Sequence, residues 1–445
     1  MNKSQNFVQN VGFLTSWNII SSAINFIIFY LITNFLGPTE YGKYAIVLTI
    51  ISTTSLALHA SINNALHRFS ALTQDKNLIK YCLKVQFLLN LIVFVIIGSF
   101  SWFISKVYNK PLTILFIIIS ATLLFTPYTE IAKNFFIGRI NVKKFSYVAA
   151  INQLILLLGI MCTIIFGLDK AVYIAIAYLI AQLITFLYSH KIINKQDYIE
   201  GGYNKKELNT FIKDGILYGI FKSAYLQMAI IIGGIFISLE QAAFYSFSFS
   251  IGMASIMQIT NSIQTMLTPY TSPLYNKKYT KKNKKTIEKY FNAGIKSGLI
   301  INAIISIFIY AFLKITISYL FPKYALALNI LPYFLLTFII MNFLTPASFL
   351  KAKGKMKSLT KWAIITTILS IINSYIWSKI FGFKGVIIAF FTNTLIAIII
   401  LWYYSYKDLK LKLNLIPSKE EICYTLKYLK LIYKKLYGKF FINRR

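Results

Sequence analysis

Twelve apolar runs decide what this chain can fold into. They fall at roughly 12–34, 44–65, 82–104, 112–136, 146–167, 171–189, 212–237, 242–268, 294–318, 328–350, 360–379 and 385–404. Each is close to the ~20 residues that carry an α-helix across a bilayer core. The runs are apolar throughout instead of alternating, which argues against a transmembrane barrel. With 57% hydrophobic residues and 13% charged, the composition also argues against a soluble enzyme or a disordered chain. The expectation is an all-α integral membrane protein with twelve transmembrane helices. Met1–Val11 carries one lysine, and no small-residue cleavage site follows the first run, so that run reads as a retained helix and not a signal peptide. The cysteines Cys82, Cys162 and Cys423 are far apart and imply neither a disulfide framework nor a metal site.

The formal net charge of +34 raises nucleic-acid binding, and the placement of the charge decides against it. With the N-terminus inside, 37 basic residues fall in inside segments and 7 in outside loops. That split is a positive-inside signal and predicts both termini in the cytoplasm; the excess of Lys over Arg, with the many Ile, Asn and Tyr, points to an AT-rich bacterial genome and so to the bacterial cytoplasmic membrane. The outside loops are all short, too short to carry the catalytic groups of a membrane glycosyltransferase or polymerase. The longer polar pieces are inside, at about 190–211, 269–293 and the tail. In the tail, Ser418 and Glu421 read as a capping box. Ile422, Leu426, Leu429, Ile432, Leu436 and Phe440 then recur at helical spacing among lysines. This basic amphipathic helix is expected to lie on anionic membrane lipids, or else to pack on the protein's own inner loops.

Two landmarks recur. Thr126-Pro127 precedes Phe136-Ile137-Gly138-Arg139, and Thr345-Pro346 precedes Lys353-Gly354-Lys355. A weaker pair is the Phe35–Tyr44 turn and Ser238–Tyr245. A repeat every six spans gives two halves of like orientation, an arrangement found in transporters with the substrate path between the halves. The expected organisation is an N-terminal six-helix bundle at 1–190, a cytoplasmic linker at 191–211, a C-terminal six-helix bundle at 212–404 and a basic tail at 405–445. Each Thr-Pro is a candidate kink.

The Leu36-Gly37-Pro38-Thr39-Glu40-Tyr41-Gly42-Lys43-Tyr44-Ala45 turn, the Phe136–Arg139 stretch with its following lysines, and Lys353-Gly354-Lys355-Met356-Lys357 resemble Wzx-type polysaccharide (O-antigen) flippases. These belong to the multidrug/oligosaccharidyl-lipid/polysaccharide exporter superfamily. The resemblance covers all twelve spans. It implies a V-shaped pair of six-helix bundles around a central cavity that flips polyprenyl-diphosphate-linked glycan, together with other polysaccharide assembly proteins. Many relatives carry an Asp in the seventh span. Here Tyr225-Leu226-Gln227-Met228 precedes Gly233 with no acid, so no role of that Asp carries over.

Gly354-Lys355 looks like the end of a phosphate-binding loop, but the Gly-rich cradle is missing. No nucleotide, metal or other cofactor is expected, and the chain is not read as an enzyme. Ionisable groups at depth are the functional candidates. Lys222, about ten residues into the seventh run, would meet a diphosphate with a fixed positive charge; its alternative is a structural partner such as Glu130. Glu130 and Lys133 sit at i,i+3 and read first as an ion pair. The sharper reading makes Glu130 an ion-coupling acceptor, with Lys133 and Arg139 guiding substrate. Arg139 is equally readable as a topogenic charge. His59 reads as a structural histidine or a protonatable lining residue. Gln227 stands among the buried amides that either glue helices or line a path suited to sugar hydroxyls. The competing function is a cation-coupled multidrug exporter, against which stands the lack of any Asp or Glu in the 12–34 run.

Overall fold

The computed structural model describes residues 3–72, 76–139, 141–195, 205–257 and 281–411, with isolated positions between 260 and 275. The amphipathic helix expected at 418–440 lies outside the described residues. The described chain is helical: α1 (Lys3–Leu72), α2 (Lys76–Val107), α3 (Thr113–Ala121), α4 (Thr126–Gly138), α5 (Val142–Ile165), α6 (Ala171–Asn194), α7 (Lys205–Tyr225), α8 (Met228–Gly233), α9 (Leu239–Gly252), α10 (Lys281–Leu320), α11 (Leu331–Ile340), α12 (Pro346–Ala352) and α13 (Met356–Leu409).

Among the described residues, seven helices are long and apolar enough to cross a membrane, and eight if the bent α3–α4 pair counts as one span. Their outer faces carry what lipid demands. Val95, Ile96, Phe100, Trp102 and Phe103 on α2 are exposed, as are Ile307, Phe308, Phe312 and Ile315 on α10. Apolar faces of this extent do not persist in water. The chain is a multi-pass membrane protein.

Two of the helices fold back on themselves. Inside α1, Gly37 adopts φ 70° and ψ 172°, a conformation that glycine tolerates, and Pro38 restarts the helix. The rings of Phe29 and Tyr41 then meet at 6.2 Å, where a straight helix would part them by ~18 Å. Inside α13, Gly382 adopts φ 53° and ψ −127°. Trp362 Nε1 donates to the Ala397 carbonyl at 2.8 Å, against ~52 Å along a straight helix. Each long helix therefore holds two of the apolar runs.

The chain divides into two compact units. The first comprises Met1–Ser250, Leu313–Leu331 and Ala363–Ile396; the second comprises Ile251–Phe312, Pro332–Trp362 and Ala397–Arg445. The first is cored by Ile62, Leu66, Cys82, Phe135, Phe136 and Ile212, all buried. At another place in it, Phe29, Tyr41, Phe247, Phe321 and Tyr324 form a continuous cluster of rings 4.9–6.2 Å apart. In the second unit, Phe291 packs edge-on against Phe349 and Trp402.

The short motifs of the sequence are the punctuation of this fold. In the 36–45 turn, Gly37 makes the reversal, and Glu40 accepts the Ala171 N–H at 2.9 Å, closing the start of α6. Gly42 lets α1 approach α9 until a Cβ there would lie 1.9 Å from the Leu239 carbonyl oxygen. Ser238 and Gln241 exchange hydrogen bonds with each other's backbone N–H at 3.2 and 3.0 Å, a capping box that starts α9. Asn141 caps α5 through the Lys144 N–H. Gly354, at φ 76°, turns α12 into α13, and Lys353 Nζ holds the turn against the Asp408 carbonyl at 2.6 Å.

Candidate functional site

The chemistry of the interior begins at the two Thr-Pro dipeptides. Proline has no N–H, so the carbonyl four residues before it loses its helical partner. For Pro127 that carbonyl is Leu123. Thr126 Oγ1 donates to it at 3.3 Å and Asn90 Nδ2 at 2.9 Å. The ladder opens into a short 3₁₀ turn, Thr122–Leu124, and α3 meets α4 at 43°. For Pro346 the open carbonyl is Asn342, and Thr345 Oγ1 donates to it at 2.6 Å. In both dipeptides the threonine hydroxyl covers the acceptor that its proline exposes.

Each kink is also stitched to two other helices within its own unit. Asn90 on α2 reaches Thr126 Oγ1 at 3.2 Å and pairs with His59 Nε2 on α1. In the second unit, Asn302 Nδ2 on α10 donates to Thr260 Oγ1 at 2.8 Å, and Thr260 donates to Asn342 Oδ1 at 3.3 Å. Gly298 makes room for that amide: a Cβ there would fall 2.1 Å from Asn342 Oδ1.

One turn beyond the first kink lies the ionic group. Glu130 and Lys133 form an i,i+3 pair at 2.5 Å with side chains 29% and 25% exposed, so the pair sits at a partly open surface. His59 interacts electrostatically with both, and Tyr178, hydrogen-bonded to Gln182, interacts with Glu130. The fold thus brings His59, Glu130 and Lys133 together. Arg139 lies two turns further along, its guanidinium 4.4 Å from the centroid of the Phe135 ring.

Lys222 and Gln227 belong to a different place. Lys222, exposed near the end of α7, has its ammonium 5.8 Å from the centroid of the Tyr218 ring. Glu130 pairs with Lys133 instead of Lys222. The seventh run is not one helix: α7 stops at Tyr225 and α8 starts at Met228. No glycine or proline stands at the break. Thr367 Oγ1 donates to the Phe221 carbonyl at 2.7 Å in the last turn of α7, and at the break itself the Gln227 N–H reaches back only three residues, to the Ala224 carbonyl at 2.9 Å. Gln227 sits at this break, and among the described residues its amide has no hydrogen-bond partner. It lines a cavity of about 180 Å³ with Tyr44, Thr49, Ser52, Tyr245 and Ser246. Asn90 and this aromatic-hydroxyl lining are the site residues that the sequence reading missed. Asn90 was detectable as a lone amide in an apolar run, but nothing local marks the cavity.

A second, open concavity of about 560 Å³ is lined by Lys205, Lys206, Asn209, Thr210 and Lys213 on α7. Tyr81 donates to Asn209 Oδ1 at 2.6 Å and lies under the Lys205 ammonium, which fixes α2 to this basic face.

Residues 7–275 match the family model of polysaccharide biosynthesis proteins. No curated protein matches the chain in sequence. Solved structures match in fold. An inward-facing multidrug resistance MATE family transporter of the MOP superfamily aligns with a TM-score of 0.69 at 14% identity, over 87% of this chain and 94% of that one. A MOP superfamily transporter from Pyrococcus furiosus gives 0.63 at 14%, over 91% and 95%. The lipid II flippase MurJ in an inward closed conformation gives 0.61 at 15%, over 95% and 92%. The fold is that of the MOP superfamily.

Proposed function

The chain belongs to the family of polysaccharide biosynthesis proteins, and from that membership we propose that it is a Wzx-type flippase. Its substrate is polyprenyl-diphosphate-linked oligosaccharide, moved from the inner to the outer leaflet of the bacterial cytoplasmic membrane for surface polysaccharide assembly. One observation carries the reading: a polysaccharide-biosynthesis family model lies over a chain built of bilayer-length apolar helices. A membrane protein of that family acts on a lipid-borne glycan. The chain does so as a transporter and not as an enzyme.

In this reading the twelve runs are twelve spans with both termini cytoplasmic, in bundles 1–190 and 212–404 joined by 191–211. The like-built Thr-Pro nodes support that repeat. Lys222 meets the diphosphate as a point charge, Lys133 and Arg139 guide it, and Gln227 offers an amide to the glycan. His59 and Glu130 are the groups through which an ion gradient would act. The basic face at Lys205–Lys213 and the tail after 405 attract anionic lipids. A cation-coupled multidrug exporter on the same fold is the competing reading.

Deleting the gene in its host tests the proposal. The flippase reading expects lipid-linked oligosaccharide to accumulate on the cytoplasmic side while surface polysaccharide is lost. Normal surface polysaccharide with raised drug sensitivity would favour the exporter.

A further inference from the structure

The cavity beside Gln227 has a composition that specifies its occupant. Thr49, Ser52, Gln227 and Ser246 line it beside the apolar Leu48 and Ile230, and among the described residues no charged side chain does. At the ~30 Å³ that each water occupies in the liquid, its volume corresponds to about six waters. Cavities lined by apolar groups stay dry, whereas one rimmed by hydroxyls and an amide holds water. A set of hydroxyl-bearing sites around one small volume is what a single sugar ring offers in place of those waters.

One wall supplies the complementary surface. Tyr245 and Phe249 stack with planes 11° apart and centroids 6.3 Å apart. Phe390 stands edge-on against both, at 6.2 and 5.7 Å. Tyr245 and Phe390 are buried, so they brace Phe249, the partly open ring of this wall. The C–H groups of a pyranose pack against a ring held like Phe249, because the ring face is the negative side of the aromatic quadrupole.

We propose that this cavity is a subsite for one uncharged sugar unit of the carried glycan; this rests on the flippase reading. A neutral pyranose exchanges its water hydrogen bonds for those of the hydroxyls and the Gln227 amide. A uronate entering the same space would lose its hydration and meet no cation.

The test uses the full chain in proteoliposomes with three probes: bare polyprenyl diphosphate, the same carrier bearing a neutral hexose trisaccharide, and that trisaccharide with one hexose replaced by its uronic acid. The neutral glycan should flip at least about tenfold faster than the uronate, the discrimination that one unpaired charge in such a space supplies. Ser246→Lys should shift the ratio towards the uronate by a similar factor, and Gln227→Lys should do the same if Ser246→Lys does not fold. Equal rates for the two glycans in the unaltered protein would overturn the subsite while leaving the flippase intact. An unchanged ratio in a folded lysine variant would also overturn it. If none of the three probes is flipped, the flippase reading itself falls and takes the subsite with it.

Discussion

Asn90 donates to the Leu123 carbonyl at 2.9 Å, the acceptor that Pro127 strips of its helical partner. The kink is therefore a position held by a second helix, and through Asn90 by a third, where His59 stands. Asn90→Ala leaves a buried carbonyl and a buried imidazole short of partners. The expected cost is about 1–3 kcal/mol, read as a lowered melting temperature of the detergent-solubilised protein. Pro127→Ala restores an N–H to Leu123, so the double variant should be less destabilised than the sum of the two single ones. Strict additivity would show that Asn90 and Pro127 do not act on the same acceptor.

Gly42 and Gly98 form an internal control for backbone approach. A Cβ on Gly42 would meet the Leu239 backbone, which cannot swing aside, whereas nothing lies within 4 Å of one on Gly98. Gly42→Ala should cost about 3 kcal/mol or prevent accumulation. Gly98→Ala should be neutral or stabilise by up to about 1 kcal/mol through helix propensity. Thermal melting of both variants in one detergent makes the comparison.

Much of the fold was legible in sequence, and the reason is physical. Apolar length and glycine-marked turns are local properties, so the runs and the turn at Gly37 could be read directly, whereas the reversal at Gly382 was not singled out. The Glu130–Lys133 pair was legible for the same reason, since i,i+3 spacing brings its partners together on one helix. The break at Gln227 was not. The residues at the break carry no signal of their own, and the contact that Thr367 makes with the last turn of α7 comes from a helix distant in the chain. Asn90 is visible as a lone amide in an apolar run, but its role is defined by a carbonyl on another helix. The cavity at Tyr44, Gln227 and Tyr245 is a product of three helices, and its tyrosines look like membrane-belt residues when read one at a time.

The ion pair gives a prediction with two separable outcomes. Glu130→Gln leaves Lys133 without its carboxylate and should lower protein abundance. Adding Lys133→Gln should restore it, because no charge is then left without its partner. Quantitative blots of the membrane fraction decide the point. Normal abundance of Glu130→Gln, with flipping that no longer responds to an imposed ion gradient, would instead make Glu130 a coupling acceptor.

Topology is tested by fusion. A reporter active only outside the cytoplasmic membrane, placed after residue 404, should be silent if 37 of the 47 basic residues face the cytoplasm. Activity there would mean an odd number of spans and would undo the six-plus-six arrangement.

Lys222 carries the electrostatics of the proposed path. Lys222→Ala should cut glycan export by at least about tenfold, as loss of a charge-assisted contact does, while the protein still inserts and accumulates. Lys222→Arg should recover part of it. Undiminished export by a well-expressed Lys222→Ala protein would remove the main cation from the account.

The most direct measurement of the central claim is transbilayer movement by the purified protein. Proteoliposomes loaded with polyprenyl-diphosphate-linked oligosaccharide are exposed to an impermeant enzyme that cleaves only outward-facing glycan. The flippase account predicts that cleavage proceeds beyond the outer-leaflet half in liposomes holding this protein and stops there in empty ones. Cleavage that stops at the outer-leaflet half in both would contradict it.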